Sequence, residues 1–252
     1  MISTITPVYN NAEYLEPCIE SLLSQHWSAF YGEVEHIFLD DNSTDNSLEI
    51  LRKYEKDPRV RVIQNDLHLG MAKRRYFGIK IHALGEIIML HDADEIIPPS
   101  YIYQMNLLLQ QYRVVHPSVI YQYGLDFKIR RYQQDGNNWQ LPARMFYKKD
   151  WLDKGGFDTE LGVYELGSFS QYFKNIGIAR TYVIDLGKYT LKQIYERSYQ
   201  FYLYKQRYTR YYNFSMRDYH IKSLLLPLGL ITLSPIKFVK TLGAIKGYIQ
   251  RK

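Results

Sequence analysis

Two carboxylates one residue apart, Asp92 and Asp94, stand at the end of an apolar run in the stretch EIIMLHDADEIIPP, residues 86–99. Acids that close repel one another, and something positive has to compensate them. A hard divalent cation, Mg2+ or Mn2+, held by few protein carboxylates and completed by phosphate oxygens, meets that demand. A second polar cluster, LDDNSTDNS, brings Asp40, Asp41, Asn42, Ser43 and Asp45 together ahead of a helical pattern. Its acids and amides can hydrogen-bond a ribose or a base edge, and backbone N–H groups at a helix start favour anions. A third, LHLGMAKRRYFG, offers Gly70 for a close approach and Lys73, Arg74 and Arg75 near a helix start. One of these cations is expected to meet a phosphate or the acid pair, and the other two to be solvated. Each cluster alone is also what an acidic turn or a helix cap looks like; their combination carries the chemistry.

The elements that must position these clusters alternate. ISTITPVY reads as a β-branched strand ended by Pro7, and AEYLEPCIESLLSQ follows at helical spacing through Leu15, Ile19, Leu22 and Leu23. VEHIFLD, then a helix capped by Ser43 or Asp45, then RVRVIQN, LGMAKRRYFGIKIHA and EIIML continue the scheme. Strands separated by helices imply crossover connections and a mostly parallel sheet. In such sheets ligands bind outside the carboxyl ends of the strands, which is where TPVYNN, DDNSTD and HDADE all fall. Beyond residue 100, YIYQMNLLLQQY is helical, SVIYQYGLDFKIRRYQ suits a hairpin, and GNN at 136–138 signals a turn.

Bulk properties exclude several alternatives. The 252 residues suffice for a substantial core, and 46% hydrophobic with 23% charged residues is a globular composition. One cysteine, Cys18, rules out an internal disulfide and is expected as buried packing. MISTITPVYN has neither a basic n-region nor a long apolar segment, so no secretory signal is expected, and no stretch reaches the roughly 18 to 20 apolar residues of a spanning helix. A reducing, cytoplasmic setting follows as an expectation. Charge divides the chain: residues 188–252 hold 13 Lys/Arg against 2 Asp/Glu, whereas residues 1–187 hold 19 against 24. The boundary therefore falls at 187, between a catalytic domain and a basic, Tyr-rich helical extension. In that extension Phe238, Val239, Leu242, Ile245 and Ile249 recur at helical spacing with Lys240 and Arg251, a pattern for peripheral contact with an anionic membrane on the inner face of the cell membrane. Tyrosines interleaved with Lys and Arg at 195–214 also suit single-stranded nucleic acid, a reading set aside because the front clusters already account for a nucleotide. His220 is a further candidate for the metal from this side. The sequence leaves an oligomer open.

Taken together, residues 1–180 resemble the family-2 glycosyltransferases, whose fold is of the Rossmann-like GT-A type. TPVYNN is similar to the family's opening strand and turn, which implies that Pro7, Val8 and Tyr9 border the nucleobase. DDNSTDNS is similar to its D-D-x-S-x-D element, which implies Asp41 as a uracil or ribose partner. HLGMAKRRYFG follows the spacing N-x-G-x-x-x-A-R-N-x-G with Gly70, Arg75 and Gly78 kept, while His68, Arg74 and Tyr76 replace Asn, Ala and Asn. DAD at 92–94 looks like the metal-binding D-x-D, so Asp92 and Asp94 are implied as metal ligands and Asp92 and Ala93 as donor contacts. GGFD at 155–158 corresponds to an acceptor-side turn. Eight residues on, where family members carry Glu-Asp, this chain has Glu165 and Leu166.

The resemblance implies a metal-dependent inverting transferase that moves a sugar from a nucleotide-diphosphosugar, a UDP-sugar first, to a glycan or lipid-linked acceptor in bacterial surface polysaccharide synthesis. Glu165 is then the general base for the acceptor hydroxyl, with Asp158 or Glu160 as substitutes. The competing reading from another class is a catalytically silent nucleotide-binding subunit of a glycosyltransferase complex. A sugar nucleotidyltransferase is disfavoured because TPVYNN lacks a Gly-rich, Arg-containing loop.

Overall fold

A computed structural model describes residues 1–26, 33–123, 129–133, 145–160, 165–170, 172–173 and 176–187, which belong to one compact unit. The expectations for the turn at 136–138, the Tyr-rich stretch, His220, the basic helix at 236–252 and the whole extension lie outside the described residues.

The front of the chain alternates as its pattern requires. Strand β1 (Ile2–Val8), helix α1 (Ala12–Leu23), β2 (Val34–Asp40), α2 (Ser47–Tyr54), β3 (Val60–Gln64), α3 (Met71–Phe77) and β4 (Ile87–Leu90) follow one another. A π-helical turn, Gly78–His82, extends α3. Then come β5 (Glu95–Ile96), α4 (Tyr101–Leu109), the hairpin β6 (Val114–Tyr123) and β7 (Ile129–Gln133), β8 (Met145–Tyr147), α5 (Lys148–Asp153), α6 (Glu165–Ser170) and β9 (Gly177–Asp185). Pro7 does not end β1. It pairs in register with Leu39 beyond the point where the ladder to β4 stops at Ile5, so its missing N–H lies where β1 has a neighbour on one side only.

One sheet runs β3-β2-β1-β4-β8-β6-β9-β5, with β7 paired to β6. The expectation of a mostly parallel sheet holds for β3, β2, β1 and β4. The second half is mixed: β8 runs antiparallel to β4 and β6, β9 parallel to β6, and β5 antiparallel to β9. The parallel half is what crossover helices dictate, and the reversal begins where β8 returns to β4 without a crossover of its own.

Alternation along each strand feeds two cores. Phe38 and Met89 face one side with Leu15, Ile19 and Leu22 of α1, Ile50 and Leu51 of α2 and Met105 of α4. Ile37, Leu39, Ile88 and Leu90 face the other with Ile79, Trp151 of α5 and Leu166 and Phe169 of α6. Both faces being covered, the polar groups gather at the strand ends. Among the described residues no helix is long and apolar enough to cross a membrane.

Candidate functional site

At the carboxyl ends of β1 and β2 the two loops hydrogen-bond one another. Asn10 and Asn42 take left-handed backbone angles, φ 54° and 65°, which asparagine tolerates better than most residues. The Asn10 side chain accepts from the Thr44 N–H at 2.8 Å, the Asn10 N–H donates to the Ser43 hydroxyl at 3.1 Å, and the Asn11 N–H donates to the Ser47 hydroxyl at 2.9 Å. Val8 is wholly buried in the core and offers this rim its carbonyl, which accepts from Asp41 N–H at 2.8 Å. Strand alternation turns the Val8 side chain inward, so what Val8 brings to this rim is its main chain. Pro7 is half-buried and Tyr9 is 44% exposed.

Asp41, expected to touch the ligand, is buried and occupied. One oxygen accepts from Leu69 N–H at 2.9 Å and the other from Gly70 N–H at 2.7 Å, with His68 Nδ1 2.9 Å from the latter oxygen. The two amides fold the segment 68–70 over this carboxylate, and His68 Nδ1 also lies 3.3 Å from the Asp41 carbonyl oxygen. Gly70, at φ 84°, supplies a backbone angle that a side chain would disfavour. The His68 ring, half exposed, packs on Tyr9 with ring centres 4.1 Å apart and planes tilted by 36°. His68 was not singled out as a site residue; its signal was the departure from Asn in the third motif.

Arg74 and Arg75 are both buried, against the expectation that two of the three cations are solvated; only Lys73 is exposed. Arg74 donates to the Asp40 and Ile63 carbonyls at the ends of β2 and β3, at 3.3 and 3.2 Å. Arg75 reaches from α3 to two acids at once, Asp92 through Nη2 and Glu165 through Nη1. Its burial disfavours the charge, but Asp92 and Glu165 outweigh that and raise its proton affinity above the ordinary guanidinium value. Thus the cation that compensates Asp92 is the protein's own.

The acid run after β4 divides by alternation. His91, Ala93 and Glu95 point inward and Asp92 and Asp94 are half-buried on the rim. Ala93, expected as a donor contact, lies in the turn between β4 and β5 with its side chain in the core at 3% exposure. Glu95 closes the turn: Asp92 N–H donates to its carboxylate and Glu95 N–H donates to the Asp92 carbonyl, both at 3.1 Å. Burial, then Asp92 and Asp185, push the Glu95 carboxyl well above the usual range, so the inward acid tends to keep its proton. Glu95 also pairs with Asp185 across β5 and β9. Asp185, which the sequence reading missed, flanks Gly187 with Asp94. A side chain on Gly187 would collide with both carboxylates. Buried Cys18 packs against His91, Sγ to Nδ1 3.6 Å.

Could these acids hold a metal? Among the described residues no three His, Cys, Asp or Glu side chains close on one point. Asp94 and Asp185 nevertheless bring oxygen atoms to the same side of Gly187, where Asp185 Oδ1 also accepts from Gly187 N–H at 2.8 Å, and that pair suits a hard cation taking most of its shell from diphosphate and water.

Toward β9 the site changes character. Gly155 and Gly156 both have positive φ, 81° and 84°, and a Cβ on Gly156 would press on Tyr76 and Trp151. Trp151, Phe157, Phe169 and Phe146 pack edge to face behind this turn, and Leu166 is buried among them. Glu165 is fully buried, and burial raises its proton affinity despite Arg75.

Comparisons with known proteins agree with this geometry. The model of the family described as glycosyl transferase family 2 matches residues 3–173. The chain is 37% identical over 112 residues to glycosyltransferase GlyG of Streptococcus pneumoniae, a match covering 44% of this chain and 36% of that protein. This chain therefore corresponds to about a third of that relative. Among solved structures it is similar to S. aureus TarS 1-349 in complex with UDP (TM-score 0.60, 20% identity, 89% of this chain and 69% of that one). It is also similar to mannosyltransferase PcManGT of Pyrobaculum calidifontis in complex with GDP-Man and Mn2+ (TM-score 0.68, 14% identity, 99% and 86%). At such identities the likeness shows the fold, which is GT-A.

Proposed function

The chain belongs to the glycosyl transferase family 2, and on that premise we propose that it transfers a sugar from a nucleotide-diphosphosugar, a UDP-sugar first, to a hydroxyl of a glycan or lipid-linked acceptor in surface polysaccharide synthesis. One observation carries the reading: helix α3 joins the two parts of a donor site, the turn leading into it folding over Asp41 and its Arg75 holding Asp92. The nucleobase then lies at the Tyr9–His68 rim and the diphosphate at the acid turn after β4.

Asp94, with Asp185 and the outer side of Asp92, is the set that would hold Mg2+ or Mn2+. When bound, that ion supplies charge neutralisation for the departing diphosphate. Arg75 keeps Asp92 in place, and Glu95 fixes the turn that aims Asp92 and Asp94 outward. Glu165 is the carboxylate at the position implied for the base. Its burial raises its proton affinity as a base requires, and its acting on an acceptor hydroxyl requires Arg75 to release it. Attack on the anomeric carbon from the side opposite the diphosphate inverts it.

A second reading has its own support: Leu166 sealed in the aromatic cluster and Glu165 enclosed with Arg75 suit a nucleotide-binding subunit without transfer. The basic extension supports peripheral membrane contact and a cytoplasmic location, which sedimentation with anionic liposomes, with and without residues 236–252, tests.

Thermal unfolding with UDP-, GDP- and dTDP-sugars, with and without Mn2+, tests the donor site, since only a ligand that prefers the folded state raises the midpoint. A Mn2+-dependent rise with the UDP-sugar is expected, and its loss in Asp94→Ala; a rise with Mn2+ that persists undiminished in that variant removes Asp94 from the metal site. Nucleotide binding without transfer or sugar-nucleotide hydrolysis selects the second reading.

A further inference from the structure

We propose that the outward side of α3 and of the π-helical turn that extends it is a membrane-contacting surface, and that its partner is an anionic phospholipid bilayer. The inference deepens the peripheral membrane reading above, on which it rests, and adds a surface outside the basic extension. The inward side of this helix belongs to the fold. Ala72, Arg74, Arg75, Gly78 and Ile79 are buried, and Gly78 lies so close to β1 and β2 that a Cβ there would meet Ile5 and Leu39. The outward side leaves apolar side chains in water: Phe77 is 37% exposed, Ile81 64% and Leu84 68%. Phe77 and Ile81 stand one turn apart, and Leu84 follows the last turn. Single exposed apolar residues are ordinary on a protein surface, whereas three between positions 77 and 84 make a patch that gains by leaving water.

Charge around the patch decides what covers it. Lys73, one turn before Phe77, and Lys80, beside Ile81, are exposed. Lys80 stands over the Tyr76 ring, Nζ 5.3 Å from its centre and 3.3 Å from its hydroxyl. Lys148 of α5 donates to the Ala83 carbonyl at 2.7 Å, which brings a third ammonium next to Leu84. Residues 67–85 contain no acid, and Glu86, exposed just past Leu84, stands against these three cations. Apolar side chains set among ammonium groups suit an anionic bilayer: the first enter the headgroup boundary while the lysines reach lipid phosphates. A second copy of the chain suits the patch less. A two-fold contact through it would set these lysines against their own equivalents, like charge facing like charge.

The test is sedimentation of the full chain with vesicles of phosphatidylglycerol and, separately, of phosphatidylcholine. The wild type is expected to partition onto phosphatidylglycerol and to stay in solution with phosphatidylcholine. The double variant Ile81→Asn with Leu84→Asn is expected to weaken that partition about tenfold. Lys73→Gln with Lys80→Gln is expected to weaken it by about threefold to fivefold for each lysine. Both keep the wild-type melting temperature, since the four side chains are exposed; should the apolar pair not fold, the lysine pair decides alone. Partition of both variants within about twofold of the wild type overturns the inference and leaves the extension as the membrane contact. No partition of the wild type onto phosphatidylglycerol removes the peripheral membrane reading, and this inference with it. A wild-type dimer in sedimentation velocity that the apolar pair turns into a monomer, with vesicle binding unchanged, assigns the patch to a second copy and overturns the proposal too.

Discussion

The rim over β1, β2 and α3 and the region from β8 to β9 solve the burial of charge in opposite ways. On the donor side Asp41 and Arg74 are buried and hydrogen-bonded to backbone groups of neighbouring segments. On the acceptor side the same depth is filled by Trp151, Phe157, Phe169 and Leu166, with Glu165 the charged group among them. The first arrangement holds polar surface in shape for a ligand. The second favours packing over chemistry at position 166. Arg75 is the single side chain that belongs to both, joining Asp92 to Glu165.

The largest way to break this contrast is to remove the link. Arg75→Ala strands Glu165, fully buried, and Asp92 without their cation, and is expected to cost about 3–5 kcal/mol in urea unfolding. The double variant Arg75→Met with Glu165→Gln removes both charges and is expected to lose clearly less than the single one. A loss below about 1 kcal/mol for Arg75→Ala means that the two sides are not joined through it.

Glu165→Gln sharpens the contrast further. Glutamine keeps a hydrogen bond to Arg75 but takes up no proton, so it separates a base from a group that only steadies Arg75. As a base, Glu165 makes transfer fall about 10²-fold or more with the substrate KM little changed. As a steadying group alone, the variant retains transfer within a fewfold, and the acceptor side is then structural through and through.

How far the sequence shows all this also differs between the two sides. Strands and helices up to β4, the hairpin β6–β7 and the gathering of three motifs at strand ends follow from periodicity and turn chemistry, because each is local. What stayed hidden depends on partners far along the chain. Arg75 and Glu165 are 90 residues apart, and Asp185 meets Glu95 only through an antiparallel pair in the mixed half of the sheet. Arg74 looked like a surface cation because nothing local announces that the β2 and β3 carbonyls converge on it. Val8 and Ala93 were placed at the ligand by motif position; alternation along β1 assigns the Val8 side chain to the core, and the turn after β4 buries that of Ala93. His68 was legible as a departure, but its contact with Asp41 was not, because the two are 27 residues apart.

The smallest effect separates the two sides by pH. Burial, then Arg59, lowers the pKa of His36 on β2 to about 3, and burial lowers that of His91 at the end of β4 to about 4. Below the ordinary value of 6.5 the unfolded chain binds protons that the folded rings refuse. Their contribution is therefore complete above 6.5 and is lost as pH falls, at about 1.4 kcal/mol per pH unit for each ring. His91 stops contributing to the slope near pH 4 and His36 near 3. Glu165 runs the other way: its raised pKa means that the folded form holds the proton more firmly, so its contribution is present below the ordinary 4.5 and lost as pH rises through the raised value. Urea unfolding between pH 6.5 and 4.5 is accordingly expected to be shallower in pH for His36→Gln than for the wild type by one proton's worth. Glutamine can still meet Thr4, which His36 Nδ1 contacts at 2.9 Å, so the variant changes the titration more than the packing. Equal slopes in the two proteins would show that His36 takes up its proton as readily folded as unfolded, and that the donor side is wetter than its burial implies.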